Sequence, residues 1–201
     1  MHDTVDPAKS EPKADLRAYF AVRSPYSRLG LHKLERAGFD GELICFTGPP
    51  EGVPFSNPSD NPLKIAYFGQ DVFRMTLRMG LPLALPDPFD VDYQPSILAF
   101  QAAKREGLGL PFAIAISDAR WGLGQNISDA DVLASCAKEI GWSGFSLDSV
   151  LVDPRLAADL QMDRAKLVED GVFGVPFLVD GKDKYWGHDR FDLWQEARAT
   201  T

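Results

Sequence analysis

The sequence predicts an α/β fold in which a β-α-β unit and a β-β-α unit are separated by a long helical segment. Two observations support this. Short apolar segments typical of strands occur near both ends of the chain, and the apolar spacing from 63 to about 170 is helical. The 201 residues suffice for one ordinary domain, or for a small domain with a large insertion.

The N-terminal part begins with a tail at 1–15, which we expect to be disordered because it contains no apolar core segment. The segment "LRAYFAV", 16–22, predicts a strand. A helix follows, with Ser24 as its N-cap, Pro25 at its first position and Gly38 as its stop. The segment "ELICFTG", 42–48, predicts a second strand, and a crossover of this length favours a parallel pair.

The middle of the chain opens with an irregular stretch at 48–62 that is rich in Pro, Gly, Ser and Asn. A helix then ends at Gly80, and repeated prolines at 81–95 interrupt the pattern. Two helices are predicted from "SILAFQAAKREG" and "PFAIAISDARWG". The next helix is expected to start with a capping box formed by Ser128 and Asp131, and the last long one covers 153–171.

The C-terminal part returns to strands. A strand at 175–181 runs into an Asp-Gly turn, 182–187 forms the second strand of a hairpin, and 188–199 forms a closing helix. This order is the thioredoxin-like plan with a large helical domain inserted. We expect the thioredoxin-like domain at 16–50 and 171–201, and the inserted helical domain at 51–170.

Composition excludes several classes of function. The net charge is −8 without a basic cluster, so a nucleic-acid surface is not expected. The sequence contains no run of about 18 apolar residues, so a membrane span is not expected. Cys45 and Cys136 lie far apart in apolar patterns, which favours buried thiols, and His2, His32 and His188 lack metal-ligand spacing. We therefore expect no metal site, and a cytoplasmic location.

Four segments, in order, resemble 2-hydroxychromene-2-carboxylate isomerases and kappa-class glutathione transferases, which are relatives of the DsbA branch of the thioredoxin superfamily. They are "YFAVRSPYSRLG", "NPLKIAYFGQDVFRMTLRMGLPLALP", "RWGLGQNISDADVL" and "GVFGVPFLVDGKDKYWGHDRFDL". Together they span about 16–197. The DsbA branch opens its first helix with C-P-x-C, where this chain has Ser24-Pro25-Tyr26-Ser27. A serine cannot supply the thiolate that disulfide exchange requires, which excludes dithiol redox chemistry at this position.

The resemblance implies glutathione as the cofactor, or as co-substrate in the transferase case. It makes Ser24 the catalytic residue, whose hydroxyl stabilises the glutathione thiolate at a helix N-terminus. Ser24 could instead be a helix cap only, and Ser27 is expected to be a first-turn helix residue without a catalytic role.

The resemblance also implies a set of glutathione-binding residues: Lys64, Val175, Pro176, His188 and Asp189. Lys64 would bind the glycine carboxylate, the Val175 backbone before a cis-Pro176 would pair with the cysteinyl part, and Asp189 would lie near the γ-glutamyl ammonium. Lys64 could instead be a solvated surface lysine, and Val175–Pro176 an ordinary turn before a strand. Asp189 could instead be the N-cap of the last helix. His188 departs from the family pattern, and its contact stays open.

Residues expected to face the substrate are Arg23, Tyr67, Asn57 and Asn61. Arg23 stands where the family carries an apolar or small residue, so it adds positive charge beside the thiolate or meets an acidic substrate. The choice between Asn57 and Asn61 stays open. Tyr67 shares a helix face with Asp71 and Arg74, for which we favour structural roles.

Three functions are compatible with these residues. The first is glutathione-dependent cis–trans isomerisation of a small unsaturated aromatic or pyruvate-type acid. The second is kappa-like conjugation of glutathione to an electrophile. The third is a non-catalytic thioredoxin-like binding protein. The resemblance also implies a homodimer.

Overall fold

The computed structural model describes residues 15–53 and 61–199, so the predicted tail at 1–14 and the candidate Asn57 lie outside the described residues. The strands are β1 (Leu16–Phe20), β2 (Glu42–Cys45), β3 (Phe177–Asp180) and β4 (Asp183–Trp186). The helices are α1 (Pro25–Arg36), α2 (Pro62–Arg78), α3 (Gln94–Arg105), α4 (Gly109–Trp121), α5 (Ala130–Glu139), α6 (Leu147–Leu151), α7 (Pro154–Glu169) and α8 (Phe191–Ala199).

The four strands form one mixed sheet in the order β2-β1-β3-β4. β1 pairs in parallel with β2 and antiparallel with β3, so that Ala18 lies between Leu43 and Leu178. β3 and β4 form the antiparallel hairpin predicted from the Asp-Gly turn. The predicted thioredoxin-like fold, with its long helical segment between the two halves, is therefore confirmed.

Side chains of β1 reach a buried core on each face of the sheet, because successive side chains of a strand point to opposite sides. Ala18 and Phe20 belong to a large apolar core that includes residues of α3, α4 and α5, and Phe20 packs edge-on against Phe100 with ring centroids 4.8 Å apart. Tyr19 and Ala21 belong to a smaller core on the other face. The intervening helices thus share their core with the sheet and hold α1 against it.

Two details differ from the sequence-based expectation. The N-cap of α5 is Asp129, whose carboxylate accepts from the Asp131 N–H at 2.9 Å, so the prediction of Ser128 was wrong. Ser128 instead bonds to Asn126 through its N–H and hydroxyl, a local turn that competes with capping. The closing helix begins with a 3-10 turn at His188–Arg190 before α8.

Among the described residues, no helix is long and apolar enough to cross a membrane.

Candidate functional site

The first turn of α1 leaves hydrogen-bond donors available for a ligand. Ser24 is the N-cap, and its half-buried Oγ accepts from the Ser27 N–H at 3.1 Å, so its own hydroxyl hydrogen can be donated elsewhere. Pro25 has no N–H, and the Arg28 N–H donates to the Ser24 carbonyl. Within the described chain nothing accepts from the Tyr26 N–H. An anion placed here can therefore meet two donors and the positive end of a helix dipole.

The end of β1 is tied to this turn. The Ala21 N–H donates to Ser27 Oγ at 3.1 Å, and the Ala21 carbonyl accepts from the Ser24 N–H at 3.0 Å. Ser27 is thus buried and structural, as expected. These bonds end β1 at Phe20, two residues before the predicted limit, because Ala21 has no backbone group left for a neighbouring strand.

The Val175–Pro176 segment faces this end of β1. The Val175–Pro176 peptide bond is cis, which confirms the expectation from the resemblance. Val175 lies two residues before Phe177, where the pairing of β3 with β1 begins. The Ala21 N–H and carbonyl bond to Ser27 and Ser24, and the backbone of Val175 has no partner among residues 15–53 and 61–199. It is a short open strand edge.

Gly30 allows Pro176 to pack closely against α1. A Cβ at Gly30 would lie 3.1 Å from Pro176 Cβ and 3.1 Å from Phe191 Cε2. The carbonyl of Pro176 accepts from the Gly187 N–H at 2.9 Å. The structure thus packs Pro176 against α1, the helix whose N-cap is Ser24.

His188 is buried beside the same turn. Its ring stacks on Tyr26, with centroids 5.6 Å apart and an interplanar angle of 10°. Burial lowers the pKa of His188, and the charge of Lys33 acts in the same direction, so the ring is neutral at pH 7. Its Nδ1 is buried without a partner in the described part of the chain. Such an orphaned polar atom favours a ligand that completes its hydrogen bonding.

Asp189 is exposed in the 3-10 turn, where its carboxylate accepts from Arg190 at 2.9 Å. It is therefore not the N-cap of α8, and the N-cap alternative was wrong. The preceding Gly187 has φ of 101°, a conformation that L side chains rarely adopt, and it directs the chain from β4 into this turn.

Tyr26 joins α1 to α2. Its hydroxyl donates to Asp71 Oδ2 at 2.8 Å, and its ring meets Phe68 edge-on at 5.8 Å. Asp71 also accepts from Arg74 at 3.1 Å, so Asp71 and Arg74 take the structural roles that we favoured. Lys64 follows the same i, i+4, i+7 spacing as Phe68 and Asp71, which places it on the face of α2 that contacts Tyr26.

The remaining candidates lie at the start of α2 and are exposed. Asn61 caps α2, where its side-chain oxygen accepts from the N–H groups of Leu63 and Lys64 at 3.0 and 3.3 Å. Lys64 and Tyr67 are exposed. Asn61 is therefore occupied as a cap, whereas the Tyr67 ring lies 6.2 Å from that of Phe68, the α2 residue that meets Tyr26.

Buried polar bonds fix the direction of α1. Arg28 donates through Nε to Asp118 of α4 at 2.5 Å and through Nη1 to the Pro82 carbonyl at 2.8 Å. His32 Nε2 lies 2.9 Å from the same carboxylate. Although burial acts to raise it, hydrogen bonds from His32 and Arg28 hold the pKa of Asp118 below its ordinary value. The helical segment thereby orients the helix that carries Ser24.

Both cysteines are buried and free, as predicted. Burial raises the pKa of the Cys45 and Cys136 thiols to about 12, so neither is ionised near neutral pH. In the ranges 15–53 and 61–199, no three His, Cys, Asp or Glu side chains are grouped so that they could hold a metal ion.

Arg23 is exposed and lines a cavity on the other side of Ser24, together with Tyr93 of the segment before α3. Sequence reasoning missed Tyr26, Tyr93 and Arg120 as neighbours of the site. The signal for Arg120 was an arginine at the end of a helix that opens with an apolar run, "PFAIAISDARW".

The comparisons with known proteins agree with this geometry. The family model described as DSBA-like thioredoxin domain matches residues 15–199. A 2-hydroxychromene-2-carboxylate isomerase of Sphingobium xenophagum is 27% identical over 184 residues, covering 87% of this chain and 93% of the relative.

Two solved structures share the fold. A 2-hydroxychromene-2-carboxylate isomerase has a TM-score of 0.74 at 22% identity, covering 92% of this chain and 94% of its own. The cytosolic disulfide reductase DsbM from Pseudomonas aeruginosa, solved with GSH, has a TM-score of 0.64 at 19% identity, covering 92% and 97%.

Proposed function

The chain belongs to the DSBA-like thioredoxin domain family, and on that premise we propose that it is a glutathione-dependent isomerase. Its substrate is a small unsaturated aromatic or pyruvate-type acid, whose cis and trans forms it interconverts. One observation carries the proposal. The start of α1 presents a serine hydroxyl and a backbone N–H beside the open edge at Val175, where redox relatives carry a thiol. The relatives that bear the isomerase name support the reaction class.

The residues around Ser24 fit glutathione. A tripeptide backbone can pair with the open edge at Val175 in the manner of an added strand. The orphaned Nδ1 of His188 offers a neutral hydrogen-bonding atom beside the same turn. Lys64 is a cation for the glycine carboxylate, and the exposed Asp189 is an anion for the γ-glutamyl ammonium.

When bound, glutathione would supply a thiolate for reversible addition to the conjugated double bond of the substrate, which would allow that bond to rotate. Ser24 donates its hydroxyl hydrogen to the sulfur position, and the Tyr26 N–H donates a second hydrogen bond. Charge-assisted bonds of this kind favour the ionised form of the sulfur. A free thiol has a pKa near 8.5, so a lowering by roughly two units would leave most of it ionised at neutral pH.

The same proposal includes a cytoplasmic location, as expected from the sequence, and a homodimer, which the resemblance implies. Light scattering of the purified chain tests the second point, since a monomer at working concentrations would contradict it.

The Ser24→Ala variant tests the role of the hydroxyl. We expect isomerisation of 2-hydroxychromene-2-carboxylate to require glutathione, and the variant to lose up to about 25-fold in kcat at pH 7, because a thiol pKa that returns from roughly 6.5 to about 8.5 lowers the ionised fraction by that factor. The pKa of bound glutathione, followed by thiolate absorbance, should rise. Ser146→Ala is the matched control, because Ser146 also caps a helix, α6, by accepting from the Ser149 N–H.

Retention of full glutathione-dependent activity by Ser24→Ala would contradict the assignment. Product analysis separates the alternatives, because an isomerase returns glutathione unchanged and a transferase consumes one glutathione per turnover. If millimolar glutathione leaves the melting temperature of the wild type unchanged, the non-catalytic alternative is favoured, since a ligand at 100 times its Kd adds about 2.7 kcal/mol of stability.

A further inference from the structure

A small cavity lies next to Ser24, at the carboxyl ends of the parallel strands β1 and β2. Its wall includes Arg23 and Gly48, which follow these strands, and Tyr93 and Ile97 from the start of α3. The carboxyl ends of parallel strands are where open α/β sheets bind ligands. The cavity volume is about 130 Å³. Since one water takes about 30 Å³ in the liquid, a carboxylate and several attached atoms fit.

The polar part of this wall is cationic. Arg23 is exposed and forms no ion pair with any residue in the described ranges. Tyr93 accepts a hydrogen bond on its hydroxyl from Arg120 Nη2 at 2.7 Å, and Arg120 also donates to the Phe89 carbonyl at 2.6 Å. Arg120 is only 1% exposed, and its guanidinium lies over the Tyr93 ring, 5.0 Å from the centroid.

Two of the Arg120 donors are unsatisfied. Its Nε and Nη1 are buried without a partner in the part of the chain that the structure describes. Burial lowers the pKa of Arg120, and the nearby Tyr93 and Asp90 oppose that lowering. Because a guanidinium stays protonated at neutral pH, Arg120 still places a positive charge beside Tyr93.

The charged groups that act on Tyr93 show the balance of positive and negative charge at the cavity. Burial raises the pKa of Tyr93, Arg120 and Arg23 oppose that rise, and Asp90 adds to it. Two guanidinium groups therefore face one carboxylate around this hydroxyl. The chain as a whole carries a net charge of −8, so an acidic ligand depends on such a local concentration of positive charge.

We propose that this cavity binds the carboxylate of the substrate and makes the enzyme selective for acids over neutral unsaturated compounds. Arg23 pairs with the carboxylate, and its planar fork suits both oxygens. Tyr93 bounds the site, with Arg120 as a positioning residue that holds its hydroxyl and adds the second positive charge. Phe46 and Ile97 contact the adjoining apolar atoms.

This inference rests on the proposed function, which defines the kind of acid that the cavity binds. Because Arg23 directly precedes Ser24, a carboxylate held by Arg23 keeps the attached double bond beside the proposed thiolate position. Holding both reactants in this way favours reaction by proximity.

Isothermal titration with cinnamate and its uncharged methyl ester tests the site on the full chain, with and without glutathione. The wild type should bind the acid more tightly than the ester. In Arg23→Gln, the Kd for cinnamate should rise about tenfold, the effect of losing one charged hydrogen bond, while the Kd for the ester stays constant. In Tyr93→Phe, the acid should also lose affinity. Arg155→Gln is the matched control, because this exposed arginine pairs locally with Asp153 at the start of α7.

Equal loss of acid and ester affinity in Arg23→Gln would overturn the inference, since it would indicate a change of shape. An unchanged preference for the acid would overturn it as well. A different result would contradict the proposed function and leave the carboxylate site standing. In that result glutathione neither binds nor supports turnover, while the preference for the acid still depends on Arg23. With active enzyme, Arg23→Gln should raise KM for the acid and leave KM for glutathione unchanged.

Discussion

Gly30→Ala tests whether the packing of Pro176 on α1 positions the proposed glutathione site. The new Cβ would lie 3.1 Å from Pro176 Cβ and 3.1 Å from Phe191 Cε2, against 3.4–4 Å for ordinary contacts. Pro176 and its neighbour Val175 must therefore move away from α1 by a few tenths of an ångström. Since Val175 supplies the backbone edge for glutathione, binding should weaken even where the chain remains folded.

Two opposing contributions set the stability of this variant. Overpacking in a well-packed core costs about 1–3 kcal/mol. Replacing glycine by alanine within a helix gains about 1 kcal/mol. The net free energy of unfolding should fall by about 0–2 kcal/mol, and each kcal/mol corresponds to roughly 2–4 °C in Tm for a chain of this length.

Gly69→Ala is the matched control, because Gly69 lies within α2 and a Cβ there would meet nothing within 4 Å. This variant should gain up to about 1 kcal/mol from helix propensity alone. Both variants are compared by urea denaturation and by KM and kcat for glutathione. The expected result is a higher KM in Gly30→Ala and an unchanged KM in Gly69→Ala.

The reasoning fails if both variants gain stability equally and keep the wild-type KM. It also fails if Gly69→Ala loses stability as Gly30→Ala does, because the effect would then belong to the helix and not to the contact with Pro176.

Two further predictions concern the neighbours of Ser24. Tyr26→Phe removes the bond to Asp71 and should cost about 1 kcal/mol in urea denaturation and raise KM for glutathione. Tyr185→Phe should be near neutral, because the Tyr185 hydroxyl has no hydrogen bond to any of the residues that the structure describes. Unchanged stability and KM in Tyr26→Phe would contradict a positioning role. Because the pKa of His188 is lowered from 6.5, the unfolded chain takes up a proton first as the pH falls. Stability should therefore decrease below pH 6.5, by at most about 1.4 kcal/mol per pH unit, until the folded-state pKa is reached. His188→Phe keeps the ring and should flatten this slope, and an identical slope would exclude His188 as its source.

Local sequence signals predicted most elements correctly, because caps and breakers act over a few residues. Ser24, Pro25 and Gly38 marked the limits of α1, and the Asp-Gly turn marked the β3–β4 hairpin. Ser128 failed as a cap because Asn126 competes for its hydrogen bonds. A local pattern does not show which of two neighbouring polar groups wins such a competition.

The neighbours of the candidate site were less accessible from sequence. Tyr26 reaches Asp71 across 45 positions, and Arg120 reaches Tyr93 across 27. No periodicity links such residues, since their contact depends on how α2 packs against α1 and how α4 packs against α3. The resemblance supplied Val175 and Pro176, while the structure showed why the backbone of Val175 is open.

The sequence by itself determined that the start of α1 carries no cysteine thiol. A serine at position 24 and the lack of cysteine in the predicted first helix exclude dithiol exchange there, because a hydroxyl cannot form a disulfide in any surroundings. Only the tertiary structure decided what surrounds that serine. The open edge at Val175 and the cationic cavity beside Arg23 arise from segments far apart in the chain, and their hydrogen bonds and charges combine only when the core brings them together.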